Sequence, residues 1–252
     1  MNVVIGNGYW GKIIQKKLKK IYKKIIVLDS KSNIDLFLKE YIKTVFICTP
    51  TNTHYNLVKK CIKNNIKTIF CEKPFTGNYK KACELFELAN NKNINIFIDN
   101  VFLYRNEFLN FNIKNNYNNI KFIWEKNELK KNDKYKDDII NSLLYHDIYL
   151  LIKITNIIDW EIIRKNITND ELFLELSYKQ IKIIFSYNRN IKNKKIKKII
   201  FNNFLVDFSF PMNDPLFEII NDIKNNKINY NNNNILSLQT LKIIQKIIDL
   251  DK

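Results

Sequence analysis

Three of the chain's four glycines fall in one six-residue window, Gly6-Asn7-Gly8-Tyr9-Trp10-Gly11. The G-x-G-x-x-G spacing suits a strand-to-helix turn beneath a pyrophosphate. The first glycine turns tightly, the second lets the ligand approach the backbone, and the third lets helix pack on strand. The window follows the apolar run Val3-Val4-Ile5 and opens a helix-like stretch, Lys12–Ile21, which is the context the motif requires. Asp29 lies 18 residues after Gly11, at the end of a second apolar run. A carboxylate there can accept from the adenosine ribose hydroxyls and repels a 2′-phosphate, so NAD is expected rather than NADP. Lys31 nearby keeps NADP open, and a loop aspartate that merely caps its own turn is the bland alternative.

Two more loops carry chemistry: Cys48-Thr49-Pro50-Thr51-Asn52-Thr53-His54 and Cys71-Glu72-Lys73-Pro74-Phe75. Both follow apolar runs on the sheet edge where ligands bind in open α/β folds. By placement alone, Lys73 and His54 face the reactive half of the cofactor.

The elements that must position these loops alternate strand and helix. Strands are expected at Val3–Ile5, Lys24–Leu28, Thr44–Cys48, Thr68–Cys71 and Ile94–Ile98, and helices at Lys12–Ile21, Ile34–Tyr41, His54–Asn64 and Tyr79–Asn90. Such alternation with short loops predicts a doubly wound parallel (Rossmann) sheet over residues 1–100. Residues 101–252 predict an α+β domain with a shortened, mainly antiparallel sheet. Its strands are expected at Asn119–Trp124, Leu172–Tyr178, Ile181–Tyr187, Ile196–Phe201 and Leu205–Phe210, with an asparagine-rich turn at Asn188–Asn193. Ile139–Ile154 reads as an amphipathic helix. Asp214-Pro215 starts another helix, through an N-cap and a first-turn proline, and Leu236–Leu250 closes the chain.

At 46% hydrophobic residues the chain is globular, and lysine and asparagine interrupt every run that might span a membrane. No leader-like head precedes the first strand, so a cytoplasmic protein is expected. The four cysteines show no metal spacing and read as free thiols, with no metal implied. The net charge of +17 raises nucleic acid as a partner. The lysines are scattered along the chain, however, and coding bias towards Lys, Asn and Ile accounts for them more simply. The densest run, Lys192–Lys198, reads as a solvated turn and strand edge.

These motifs, taken in order, resemble the Gfo/Idh/MocA family of oxidoreductases (glucose–fructose oxidoreductase, inositol dehydrogenase and relatives). The resemblance rests on residues 6–11, 48–54 and 72–74, on Phe102-Leu103-Tyr104-Arg105-Asn106, on Leu144-Tyr145-His146-Asp147-Ile148, and on Pro215–Ile220. It implies hydride transfer between a nicotinamide and the hydroxyl carbon of a sugar, cyclitol or nucleotide-linked sugar. It implies Lys73 as the group that protonates or polarises the substrate oxygen, His146 as acid/base or orienting residue, and a cis peptide before Pro74. Tyr104, Arg105, Asn106, Ser142 and Asp147 would be substrate contacts, and pairing into a homo-oligomer through the second-domain sheet is a further implication. The chain departs from the family at Ser142, where an aspartate is usual one helical turn before the histidine, and at Tyr149, where relatives often have another. Serine cannot carry charge, which opens a second reading: a dinucleotide-binding protein without turnover.

Overall fold

The computed structural model describes residues 1–38, 40–111, 117–127 and 138–250. Two compact units emerge. The first comprises Met1–Val101 with Pro215–Leu241, the second Phe102–Asp214 with the residues from Lys242 on.

In the first unit, strands β1 (Asn2–Ile5), β2 (Ile26–Leu28), β3 (Thr44–Ile47), β4 (Thr68–Cys71) and β5 (Asn95–Ile98) form one parallel sheet in the order β2-β1-β3-β4-β5. Helices α1 (Tyr9–Ile21), α2 (Ile34–Phe37), α3 (Thr51–Lys63) and α4 (Tyr79–Asn90) are the connections. The strands are short apolar runs because helices cover both faces. Phe46, Phe70 and Phe97 stack across β3, β4 and β5 with ring centroids 5.4 and 5.8 Å apart. The winding reverses at β1, which has β2 on one side and β3 on the other. The carboxyl edge beside it is therefore the topological switch point, the crevice where such sheets bind ligands.

Two further helices, α7 (Pro215–Lys224) and α8 (Tyr230–Asp249), complete this unit, α8 being divided between the units after Leu241. The expected division at residue 100 kept Pro215–Leu241 with the second domain; packing assigns it to the first. The apolar face of α7, with Leu216, Ile219, Ile220 and Ile223 buried, lies against α1. Asn233 of α8 pairs with both backbone groups of Ile98, accepting from its N–H at 2.7 Å and donating to its carbonyl at 3.0 Å. An amide side chain thus closes the open edge of β5 as another strand would.

The second unit is a six-stranded sheet, β11-β10-β6-β9-β8-β7, built from β6 (Asn119–Asn127), β7 (Glu161–Ile167), β8 (Glu171–Tyr178), β9 (Ile181–Asn188), β10 (Asn190–Phe201) and β11 (Phe204–Asp207). Neighbours are antiparallel except β6 and β9, which run parallel. A short α5 (Asn106–Leu109) precedes the sheet. The expected long helix is present, but its first turn, Ile140–Leu144, is π-helical, and the α-helix proper is α6 (Tyr145–Thr155). Strand β7 escapes sequence reading because Glu-Ile-Ile-Arg-Lys-Asn-Ile is a half-exposed edge strand without clean alternation.

The solvated reading of Lys192–Lys198 fails at one residue. β10 lies between β11 and β6, and Lys197 points inward with Ile199 and Phe201, 3% exposed. Asparagine, with one lysine, supplies the described non-glycine turns of positive φ: Asn65, Asn93, Asn156, Lys179, Asn193, Asn202 and Asn226.

Candidate functional site

The glycine loop leaves β1 at its carboxyl end. Gly6 has φ 111°, and a Cβ there would sit 2.5 Å from the Cys48 carbonyl oxygen. A Cβ on Gly11 would fall 2.0 Å from the Gly6 carbonyl oxygen. Protein packing therefore demands both of these glycines. Gly8 differs: a Cβ there meets no atom within 4 Å. It is the N-cap of α1, whose first turn has neither a capping side chain nor an acid. Open ground above bare helix-terminal amides fits a pyrophosphate, so the chain's own residues suit a dinucleotide. Asn7 is tied to Gln15 at 3.1 Å, while Tyr9 and Trp10 are exposed beside the loop. Asp29 accepts from the Lys31 amide (2.9 Å) and the Ser32 hydroxyl (3.1 Å) through Oδ1, and these bonds hold its carboxyl below the usual range. It caps its own turn and stays ionised, with Oδ2 directed to neither bond.

The loop after β3 is held by His54 on α3. The ring is fully buried, with Nδ1 2.9 Å from the Pro74 carbonyl and Nε2 2.8 Å from the Thr49 carbonyl. Both partners are acceptors, so only a doubly protonated ring donates to both. His54, expected at the cofactor, instead staples the Thr49-Pro50 loop to the loop after β4. Thr53 Oγ1 adds bonds to Thr49 Oγ1 (2.6 Å) and the Pro50 carbonyl (2.7 Å), while Thr51 is half-buried and Asn52 exposed at the helix start.

The loop after β4 holds a buried acid beside a lysine. The Lys73–Pro74 peptide is cis. Lys73 is partly exposed, whereas Glu72 is 6% exposed and Asp99, after β5, is 4% exposed. Burial drives the Glu72 carboxyl well up, Asp99 pushes it further, and Lys73 pulls it down. Asp99 is raised by burial to about 7, against the pull of Lys73 and a hydrogen bond from Glu72. Among the described residues, Glu72 Oε1, Asp99 Oδ1 and Asn100 Oδ1 have no hydrogen-bond partner. Burial also pushes the Cys48 and Cys71 thiols far up, with Glu72 adding to both, so neither is a nucleophile.

In the second unit, His146 on α6 is 8% exposed and packed edge-on against Phe102, centroids 4.9 Å apart. Its Nδ1 lies 3.0 Å from the Tyr149 hydroxyl, which accepts from the Phe102 amide at 3.1 Å. The Tyr149 proton can therefore go to Nδ1, placing the ring's own proton on Nε2. Ser142 lies in the π turn, and its Oγ accepts from the Arg189 guanidinium. Asp147, expected as a substrate contact, is fully buried. It pairs with Lys197 through Oδ1 and accepts from Trp124 Nε1 (2.6 Å) and the Tyr187 hydroxyl (2.7 Å) through Oδ2. Arg105 is 7% exposed and spent on Glu107 two residues along, while the backbones of Tyr104 and Asn106 both bond Asn213.

Residues 4–99 match the sequence profile of the oxidoreductase family with an NAD-binding Rossmann fold, Gfo/Idh/MocA. The matched stretch lies within the parallel-sheet unit. An uncharacterized oxidoreductase of Schizosaccharomyces pombe is 39% identical over 83 residues, 32% of this chain and 22% of its own length. The match thus spans about a fifth of that relative. Among solved structures, a UDP-N-acetylglucosamine 3-dehydrogenase from Acidithiobacillus ferrooxidans superposes with TM-score 0.81 at 16% identity, covering 97% of this chain and 95% of that one. The WlbA (WbpB) dehydrogenase from Thermus thermophilus, in complex with NAD and UDP-GlcNAcA, gives 0.82 at 11% identity, covering 97% and 93%. At these identities the likeness to solved structures is one of fold, and it covers nearly the whole chain.

Within that frame, sequence reading missed Asp99, Asn100, Trp124, Tyr187 and Lys197. Asp99 carried a usable signal, since it ends an apolar strand on the ligand edge as Glu72 does. Lys197 carried another, its two-residue phase with Ile199 and Phe201. No described helix is long and apolar enough to cross a membrane, and no cluster of the described residues could hold a metal ion.

Proposed function

We propose that the chain is an NAD-dependent oxidoreductase acting on a hydroxyl-bearing carbon of a sugar, cyclitol or nucleotide-linked sugar. The observation that carries this reading is Lys73, set beside a buried acid pair on the switch-point edge of a doubly wound sheet. When bound, the nicotinamide supplies the hydride acceptor or donor. The α1 amides and bare Gly8 backbone would hold the pyrophosphate, and Asp29 would orient the adenosine ribose. Lys73 holds the proton at the substrate oxygen. His146, fixed by Tyr149 with its proton on Nε2, orients the substrate or shares in proton transfer. Asp147 and Arg105 act through their own partners, holding the walls around His146. The two solved neighbours named above are dehydrogenases, one named for UDP-N-acetylglucosamine and one holding UDP-GlcNAcA, which makes nucleotide-linked sugars the first substrates to try.

The test is the change in NADH absorbance when purified protein meets NAD⁺ or NADH with a panel of UDP-sugars, free sugars and cyclitols. Turnover is expected with one class, and Lys73→Ala should lower kcat by about 10²–10⁴-fold. No turnover across the panel, or a Lys73→Ala variant as fast as the parent, overturns the proposal. The reading of a binder without turnover has one observation in its favour, the hydroxyl of Ser142 tied to Arg189 where the family it resembles usually has an aspartate. Ser142→Asp separates the two: gained turnover marks a degraded site, lost turnover a retuned one.

A further inference from the structure

Strands β4 and β5 pair with Cys71 opposite Ile98, so the next residues, Glu72 and Asp99, leave the sheet side by side. Both carboxyls are buried, and among the described residues Glu72 Oε1 and Asp99 Oδ1 have no hydrogen-bond partner. Asn100 Nδ2 donates to Ser237 Oγ (3.3 Å) on α8, and Asn100 Oδ1 likewise has no partner among the described residues. Two carboxylates in contact cannot donate to each other and repel; a single proton between them converts the repulsion into a strong hydrogen bond. Lys73 faces the pair from the loop after β4, Cys48 from the end of β3 and Cys71 from β4, both as neutral thiols. His54 on α3 is turned to the Pro74 and Thr49 carbonyls.

We propose that Glu72 and Asp99 hold one proton between them and that Asp99 is thereby a positioning residue, setting the charge of Lys73. With one proton the pair carries a single negative charge, which balances the Lys73 ammonium at rest. A second proton, passed from that ammonium to Asp99, leaves two neutral acids and a free amine. The amine can then take the proton an alcohol releases as its carbon gives hydride to the nicotinamide. The direction of the shifts agrees, since Glu72 is raised and Asp99 lies at about 7.

This inference rests on Lys73 as the acid–base group of the proposed reaction, but its test needs neither substrate nor turnover. Infrared spectra of the protein should show a protonated carboxyl at about pH 6, where ordinary carboxyls are ionised, and Glu72→Gln should remove it. In protein reductively methylated with ¹³C, the Lys73 resonance is identified by its loss in Lys73→Arg. Its titration midpoint should fall by about one pH unit or more in Asp99→Asn and return in Asp99→Glu. Absence of a protonated carboxyl in the parent, or a Lys73 midpoint unmoved in Asp99→Asn, overturns the proposal. NADH binding checks that each variant folds. A missing sugar turnover with the band and midpoint as expected would fault the proposed function instead.

Discussion

Each unit buries an acid beside a lysine, and the two clusters are finished differently. In the second unit, Asp147 is surrounded by the Lys197 ammonium, the Trp124 N–H and the Tyr187 hydroxyl, while Lys197 also lies 3.9 Å from the Trp124 ring centroid and 4.5 Å from that of Phe102. The acid's polar capacity is met within the fold. In the first unit, Glu72, Asp99 and Asn100 keep buried oxygens without donors. Native proteins leave few such atoms, because each forfeits the hydration it had in the unfolded chain. A complete network fixes one packing, whereas an incomplete one retains the capacity to take up a proton or a ligand. The first kind closes within the fold and the second keeps the capacity that the proposed reaction would use, although sequence reading had named Asp147 and passed over Asp99.

The largest test breaks the finished cluster. Asp147→Ala strands the Lys197 ammonium among aromatic rings and should lower unfolding free energy by about 3–5 kcal/mol in urea titration. A loss below about 1 kcal/mol would show that the pair is not the anchor described here. The glycine loop gives the next contrast. Gly11→Ala drives a methyl into the Gly6 carbonyl and should cost about 1–3 kcal/mol. Gly8→Ala should leave stability within about 0.5 kcal/mol while weakening NADH binding, measured by fluorescence. Equal effects of the two on stability would remove the argument that Gly8 is kept for a ligand.

Smaller effects follow from the unfinished cluster. Asp99 has its folded pKa raised from 3.8 to about 7, so ionisation is disfavoured in the native state. Its destabilisation is absent below the unfolded value, grows as pH rises through that window, and is complete above it. Asp99→Asn should therefore raise stability at neutral pH by about 1–2 kcal/mol and flatten the fall between pH 4 and 7, gaining stability at the expense of function. Lys197 runs the other way: burial lowers its pKa from 10.5 to about 8 despite Asp147, so its penalty is full below that value and relieved as pH rises towards 10.5. Chemical denaturation across pH should resolve the two windows, and Lys197→Met should erase only the alkaline one.

The first unit was legible almost element by element, because its strands are unbroken apolar runs and the glycines mark the one loop that needs bare backbone. The ligand edge followed from strand order alone. What stayed hidden involves partners without a sequence signature. His54 binds two backbone carbonyls, which no spacing announces. Ser142 sits in a π turn and bonds Arg189, and sequence gives no hint of either. Lys197 was read with its charged neighbours, when its phase with Ile199 and Phe201 placed it inside.

The asparagines at positive φ have a consequence for how this chain tolerates change. A left-handed turn costs most side chains about 1–2 kcal/mol, and asparagine, which bonds locally, is among the few that bear it. With glycine nearly absent, asparagine reverses the backbone after α3 at Asn65, after α6 at Asn156 and after α7 at Asn226. Replacing these with glycine should be mild, whereas alanine should fray the turn. The same division of labour leaves Gly6 and Gly11 of the β1 loop as positions where no other residue of this chain's vocabulary would fit, so drift in its composition can rewrite the turns without touching that loop.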